Sequence, residues 1–333
     1  MSAQVLAARY ELTAPIGHGG MGEVYAGYDR RLDRPVAVKI LRPDALAPGL
    51  DRQALATRFV REARLTARVE HPGVPAVFDA GAQDERLYLV MQLVPGCDLI
   101  DFLAQHQPLP LESAVAIAAQ TAAVLAAAHE VSLVHRDLKP GNVMITPEGR
   151  VTVLDFGVAA LLDADLTRLT TTGEAIGSPA YMSPEQVMGA AASPRSDLYS
   201  LGCILHELLA GVRPFTAQAT FAAMRQQVDD PPPPLRSQRA EVPVELEELV
   251  LGLLAKAPED RPADAQEVYR RLSPFLPAAG HAQDTYPSDP TRPYRQPYAP
   301  RHRRAAAQAT PQSGQPALDL SSVRADAVEL AYA

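Results

Sequence analysis

Residues 134–145 read VHRDLKPGNVMI. Apolar side chains stand at both ends, Val134 at the start and Val143, Met144 and Ile145 at the close, with His135, Arg136, Asp137, Lys139 and Asn142 crowded between them. A chain that threads this stretch through a core must satisfy each of those groups, because an unpaired buried charge is costly. They therefore pair with one another, face a ligand, or do both. A little further on, VLDFG at 153–157 ends an apolar strand in Asp155 ahead of a glycine. Two strand-like pieces, VMIT and VTVLDF, and a Pro-Glu-Gly turn fit between Asp137 and Asp155, which folds both acids back to one mouth.

The rest of the chain divides around this mouth. Residues 10–41 alternate short apolar runs with turns, so RYELTAPIG, GEVYAGYD and RPVAVKIL read as strands. Residues 58–69, RFVREARLTARV, place Phe59, Val60, Ala63, Ala67 and Val69 on one face of a helix. HPGVPAVFDAG and ERLYLVMQLV are two further strands. After Pro95-Gly96 the composition turns helical: an alanine-rich helix over 111–130, a helix over 196–210 with Ser196 or Asp197 as N-cap and Gly211 as stop, and another from Glu245. The pattern predicts an α+β chain with a small β-rich lobe carrying one main helix, residues 10–94, and a larger helical lobe, residues 97–275. Residues 276–333 are rich in Pro, Gln, Ser and Arg without apolar periodicity, which predicts a disordered tail with polyproline character. Its end, ALDLSSVRADAVELAYA, regains apolar residues; a frayed end is the first reading and a short helix formed on a partner the second.

Composition narrows the function classes. The 333 residues are 47% hydrophobic and carry a net charge of −8, which argues against nucleic acid as a partner. Two distant cysteines, Cys97 and Cys203, fit neither a disulfide framework nor a metal site and suit a reducing cytoplasm. The N-terminus lacks signal-peptide character, and no run reaches the ~18–20 apolar residues of a membrane span. The nearest, AVAIAAQTAAVLAAAH, is mostly alanine and reads as a packed helix.

In IGHGGMGEV, Gly17, Gly19 and Gly22 fit G-x-G-x-x-G. The next run, EVYAGYD, is strand-like rather than helical, which separates the pattern from a dinucleotide-binding βαβ unit. A glycine hairpin can lay backbone N–H groups over phosphates, with Val24 and Ala37 as an apolar roof for a base. Lys39 in VAVK is then a phosphate ligand or a snorkelling surface lysine. Glu62 is its carboxylate partner or a solvated residue paired locally with Arg61 or Arg64. Asp137 is placed to orient a hydroxyl proton, Lys139 to neutralise a transferring phosphoryl, and Asn142 and Asp155 to offer hard oxygens to Mg²⁺.

Together GHGGMG, VAVK, HRDLKPGN, DFG and Ser183-Pro184-Glu185 resemble the eukaryotic-type (Hanks-type) bacterial serine/threonine protein kinases, over roughly residues 10–275. The resemblance implies a bilobal kinase fold, ATP and Mg²⁺ as cofactors, and protein Ser/Thr hydroxyls as acceptors. It implies that Ile16, Gly17, His18, Gly19, Gly20, Met21, Gly22, Glu23 and Val24 cover the nucleotide. Lys39 contacts phosphate and pairs with Glu62, Met91 is the gatekeeper, and Gln92, Leu93 and Val94 form the hinge. Asp137 is the catalytic base, Lys139 approaches the γ-phosphate, and Asn142 and Asp155 hold Mg²⁺. Glu185 pairs with Arg261, Asp197 braces the catalytic loop, and Ser178 contacts Asp137 and Lys139. Arg136 receives a phosphate from Thr170, Thr171 or Thr172, formed by autophosphorylation, in trans within a transient homodimer. Family members more often carry Glu at position 92 and Thr at 178. Two other classes compete with this reading. A scaffold lacking activity would have lost Lys39, Asp137 or Asp155, and all three stand; a small-molecule phosphotransferase has no need of the long segment that closes in Ser-Pro-Glu. Tail-docked partner proteins and a cytoplasmic location complete the expectations.

Overall fold

The computed structural model describes residues 4–19, 22–41, 52–83, 86–156, 179–217, 219–280 and 284–295. The N-terminal lobe is a six-stranded antiparallel sheet in the order β1-β2-β3-β4-β6-β5. Its strands are β1 (Gln4–Leu6), β2 (Tyr10–Gly19), β3 (Gly22–Asp29), β4 (Arg34–Leu41), β5 (Val77–Gln83) and β6 (Arg86–Met91). Strict alternation in β4 gives the sheet two apolar faces. Val36, Val38 and Ile40 join Tyr88 and Val90 beneath Leu6, Tyr10 and Leu12, so the curled β1–β2 edge closes that side. Ala37 and Leu41 join Leu87, Leu89 and Met91 on the opposite side, against Leu55, Phe59 and Ala63 of helix α1 (Arg52–Thr66). Lys39 lies on this second face by the same alternation. Register shifts at Leu12/Ala14 and Pro15/Gly17 mark irregularities in the β2–β3 ladder, the kind of feature that increases local twist. Strand β1 was not foreseen, and α1 begins and ends earlier than the 58–69 periodicity predicts. Its last turn closes where the Thr66 hydroxyl donates to the Glu62 carbonyl.

A link over 92–96 leads to β7 (Cys97–Asp98), which forms a three-stranded sheet with β8 (Val143–Ile145) and β9 (Val151–Val153). The C-terminal lobe is built on α2 (Leu99–His106) and α3 (Leu111–Glu130), whose alanines let α5 and α8 approach closely. α3 is long and apolar enough to cross a membrane, yet 67% of that stretch is buried inside the lobe. α4 (Pro184–Val187), α5 (Pro194–Ala210), α6 (Thr220–Asp229), α7 (Val244–Leu253) and α8 (Ala265–Leu272) complete the lobe. α5 starts before the predicted cap. Ser193 is the N-cap, in a capping box with Ser196, and this leaves Asp197 for another role. The helix ends at Gly211 in the left-handed conformation, φ 76°.

The tail departs from the disorder expected of it over residues 284–295, which end in α9 (Arg292–Arg295) and pack on the C-terminal lobe. Composition averages conceal the cause: Tyr286 and Tyr294 pack against the core, and Asp289 is fully buried with hydrogen-bond partners for both oxygens.

Candidate active site

The site lies where β4 faces the residues flanking the β8–β9 hairpin. Lys39 is buried, and its Nζ stands 2.8 Å from Oδ1 of Asp155, two residues past β9. Burial pushes the Asp155 carboxyl up, and the Lys39 ammonium more than offsets this, so the group sits below the ordinary carboxylate range. The expected Lys39–Glu62 pair is therefore corrected. Among the described residues the ion pair of Lys39 is with Asp155, and Glu62 is half-buried on α1. A buried ammonium takes the carboxylate that the fold brings nearest, and sequence separation does not reveal which that is.

Asp137 lies on the loop that precedes β8. Its carboxylate accepts from Lys139 Nζ at 2.7 Å, and its carbonyl accepts from Asn142 Nδ2 at 2.7 Å. Asn142 Oδ1 carries no hydrogen bond among the described residues. The Asn142 carbonyl in turn accepts from the Leu154 N–H at 2.8 Å, which holds the two ends of the hairpin side by side. Asn142 and Asp155 thus flank the open end of the β8–β9 hairpin with one neutral and one anionic oxygen donor. This sparse, hard set suits Mg²⁺, which keeps waters and phosphate oxygens in its sphere. No cluster of three or more His, Cys, Asp or Glu side chains competes for a metal among the described residues.

The loop geometry is fixed from below. His135 is fully buried. Its Nε2 donates to the Leu154 carbonyl at 2.8 Å and its Nδ1 accepts from the Asp137 N–H at 3.3 Å, partners that assign the proton to Nε2. The edge of Phe156 meets the same ring at 4.8 Å. Asp197 accepts from the N–H groups of His135 and Arg136, each at 2.8 Å, and from His129 Nε2 at 2.9 Å. The sequence assigned Asp197 this bracing role. Arg136 and Asp155 both adopt left-handed backbone, φ 71° and 62°. Non-glycine residues hold that conformation only where surrounding contacts over-determine it.

Sequence reasoning did not single out Gln186. Its Nε2 donates to the Arg136 carbonyl at 2.8 Å while its Oε1 accepts from Ser183, so it ties the Ser-Pro-Glu turn to the catalytic loop. The signal was a glutamine at the N3 position of a capping box, read only as part of the motif. Glu185 and Arg261 form the expected pair, with two contacts of 2.8 Å. Burial raises the Glu185 carboxyl, and the Arg261 and Ser196 hydrogen bonds bring it below its ordinary value.

The apolar residues expected to form a roof lie together. Ile16, Val24, Ala37, Met91 and Leu93 share one cluster on the inner face of the sheet. The Gln92 N–H donates to the Ala76 carbonyl at 2.9 Å. Among the described residues, the Gln92 carbonyl and the Val94 N–H carry no hydrogen bond and can face a purine edge. In the glycine hairpin Gly17 pairs with Val24, His18 with Glu23 and Gly19 with Gly22. Gly22 is demanded by packing: a Cβ there would stand 2.1 Å from the Ile40 carbonyl. Gly20, Met21, Thr170, Thr171, Thr172 and Ser178 lie outside the described residues.

A lysine and an acid thus face each other across the cleft, with a second acid beside an amide on a backbone-braced loop, between a β lobe and a helical lobe. A family model described as the protein kinase domain matches residues 10–272, and the chain belongs to that family. It is 41% identical over 269 residues to the serine/threonine-protein kinase PknB of Mycobacterium leprae, covering 79% of this chain and 42% of that protein. It is 41% identical over 265 residues to PknL of Mycobacterium tuberculosis, covering 80% of this chain and 65% of the relative. With PknA of the same species it shares 39% over 278 residues, 82% and 61% of the two chains. The match thus spans 42–65% of the length of these relatives. The group they represent, the bacterial serine/threonine protein kinases, is the one the sequence motifs pointed to.

Proposed function

We propose that this chain transfers the γ-phosphoryl group of ATP to Ser or Thr hydroxyls of proteins. The observation that carries the reading is the convergence of Lys39 on Asp155 beside Asp137 and Asn142. The Gln92 carbonyl and Val94 N–H hold the adenine edge beneath Ile16, Val24 and Ala37. Lys39 holds phosphate oxygens. Asp137, aligned by Lys139 and Asn142, accepts the hydrogen bond of the acceptor hydroxyl and orients its oxygen for in-line attack. Lys139 offsets charge on the transferring group. Asn142 and Asp155 hold Mg²⁺, which when bound neutralises phosphate charge. Autophosphorylation at Thr170, Thr171 or Thr172, with Arg136 as the phosphate's partner, is the activating step, and it proceeds in trans within a transient homodimer. The two free thiols, Cys97 and Cys203, support a cytoplasmic setting. Acceptors are proteins, and the tail recruits further partners.

Radiolabelled ATP with the purified chain and a host lysate, with Lys39→Met as the blank, tests the transfer. Label retained by the blank defeats it. Mass spectrometry after incubation with ATP, against Asp137→Asn, tests the activating step. Absence of phosphate on residues 167–172 removes that part alone.

A further inference from the structure

Residues 284–295 lie beyond the family match, which ends at 272, and none of the machinery above uses them. They are held from two sides. On one, the Tyr286 ring stands edge-on to Phe102 at 5.5 Å and to His106 at 4.5 Å, both on α2. On the other, Arg292 and Asp289 hold the β8–β9 turn, and Pro290 bonds to Gln120 of α3, which itself clamps that turn. The Pro290 carbonyl accepts from Gln120 Nε2 at 3.1 Å, Arg292 donates to the Pro147 carbonyl at 2.7 Å, and the Asp289 carbonyl sits on Gly149. Gly149 is left-handed, φ 76°, and a Cβ there would stand 1.8 Å from that carbonyl.

Between these anchors the segment holds its own shape. Asp289 Oδ1 accepts from the N–H and hydroxyl of Thr291, and Oδ2 accepts from the Thr285 N–H and from Arg295. Asp284 pairs with both Arg292 and Arg295.

Both anchor points border the metal residues. Ile100 of α2 lies against Gly141, next to Asn142. The β8–β9 hairpin has only three residues per strand, with Asn142 immediately before it and Asp155 two residues after. Gln120 clamps its turn a second time, donating to the Gly149 carbonyl and accepting from the Val151 N–H. A hairpin this short moves as one body, so a hold on its turn is felt at its open end.

We infer that residues 284–295 are a positioning strap for the metal pair: by tying α2 to the β8–β9 turn, they fix the orientation at which Asn142 and Asp155 present their oxygens. The inference rests on the metal role proposed above. The test uses the full chain with Asp289→Ala, which removes the acceptor at the centre of the strap, read by hydrogen exchange and by calorimetric ATP binding with Mg²⁺ and with chelator. Expected are faster exchange in 284–295 and in 142–155, unchanged exchange in α5, and Mg²⁺-dependent ATP affinity lowered about fivefold, the scale of coupling carried through packed side chains. Affinity without Mg²⁺ stays within about twofold, the part such coupling does not reach. Faster exchange in the strap alone overturns the inference, as does an equal loss of affinity with and without the metal. Should Asp289→Ala fail to fold, Tyr286→Ala, which releases the α2 anchor and the hydrogen bond to Ser113 of α3 but leaves the β8–β9 contacts, carries the same outcomes. A wild-type chain that binds no nucleotide defeats the functional reading, and the exchange measurement still decides the strap.

Discussion

Two ion pairs of this molecule, Arg261–Glu185 and Lys39–Asp155, are built differently. Arg261 spends all five of its N–H donors: two on Glu185, and one each on the carbonyls of Ala255, Arg195 and Lys256. Its side chain is 0% exposed and the Glu185 side chain 11%, with Tyr199 beneath the guanidinium at 4.9 Å. Lys39 and Asp155 share one contact, with Asp155 30% exposed. A saturated pair inside one lobe is a fastener. A pair with one contact, spanning two lobes and open to water on its acidic side, can exchange partners. The same two residue classes serve architecture in one place and chemistry in the other, and what differs is how many of their hydrogen-bonding positions the fold fills.

The sharpest way to break the comparison is kinetic. Asp137→Asn should lower the rate of phosphoryl transfer by about 10²–10⁴-fold, the usual contribution of a positioned acid–base group, measured in single-turnover assays. Asp155→Asn should fall in the same range, with a higher Mg²⁺ requirement, while neither moves the melting temperature by more than a few degrees. If Asp155→Asn unfolds the protein, the exchangeable pair is structural after all. Next in size is Arg261→Ala, which strands a buried carboxylate and should cost about 3–5 kcal/mol in chemical denaturation. Lys39→Met should abolish transfer yet cost only about 1 kcal/mol of stability, because water can reach the carboxylate left behind. A loss as large as that of Arg261→Ala would erase the distinction.

The smallest effect concerns acid. The Glu185 carboxyl is held below its ordinary value of 4.5. A carboxyl whose folded value lies below its unfolded one adds stability that is complete above the unfolded value and drains away as pH falls through the folded one. Denaturation midpoints should therefore decline below about pH 4.5, and Glu185→Gln should flatten that decline. A variant as acid-sensitive as the wild type would place the linkage elsewhere.

How much of this was written in the sequence obeys the same division. Alternation in RPVAVKIL put Lys39 on one face of β4, without deciding between cleft and solvent, and the strand–turn–strand spacing brought Asp137 and Asp155 to one mouth, because both are local patterns. The partner of Lys39 was misread, since Glu62 and Asp155 are equally plausible until the chain is folded. The cap of α5 was placed on Ser196 or Asp197 when Ser193 holds it, because three cap-forming side chains within five residues are indistinguishable by type. Gln186 and Gln120 escaped notice because a single glutamine has no period. The strap was masked by its setting: a Pro- and Arg-rich stretch averages to disorder, although an Asp-Pro-Thr-Arg turn flanked by two tyrosines is a local signal that a window average erases.

Gly22 has a consequence for how tightly the cleft can close. With no side chain between it and Ile40, the hairpin rests directly on the neighbouring strand, and the roof of the proposed nucleotide site sits as low as backbone allows. A single added methyl would work as a wedge, lifting that roof; under the proposed function it would weaken the grip on ATP and ADP alike while every charged group stayed in place.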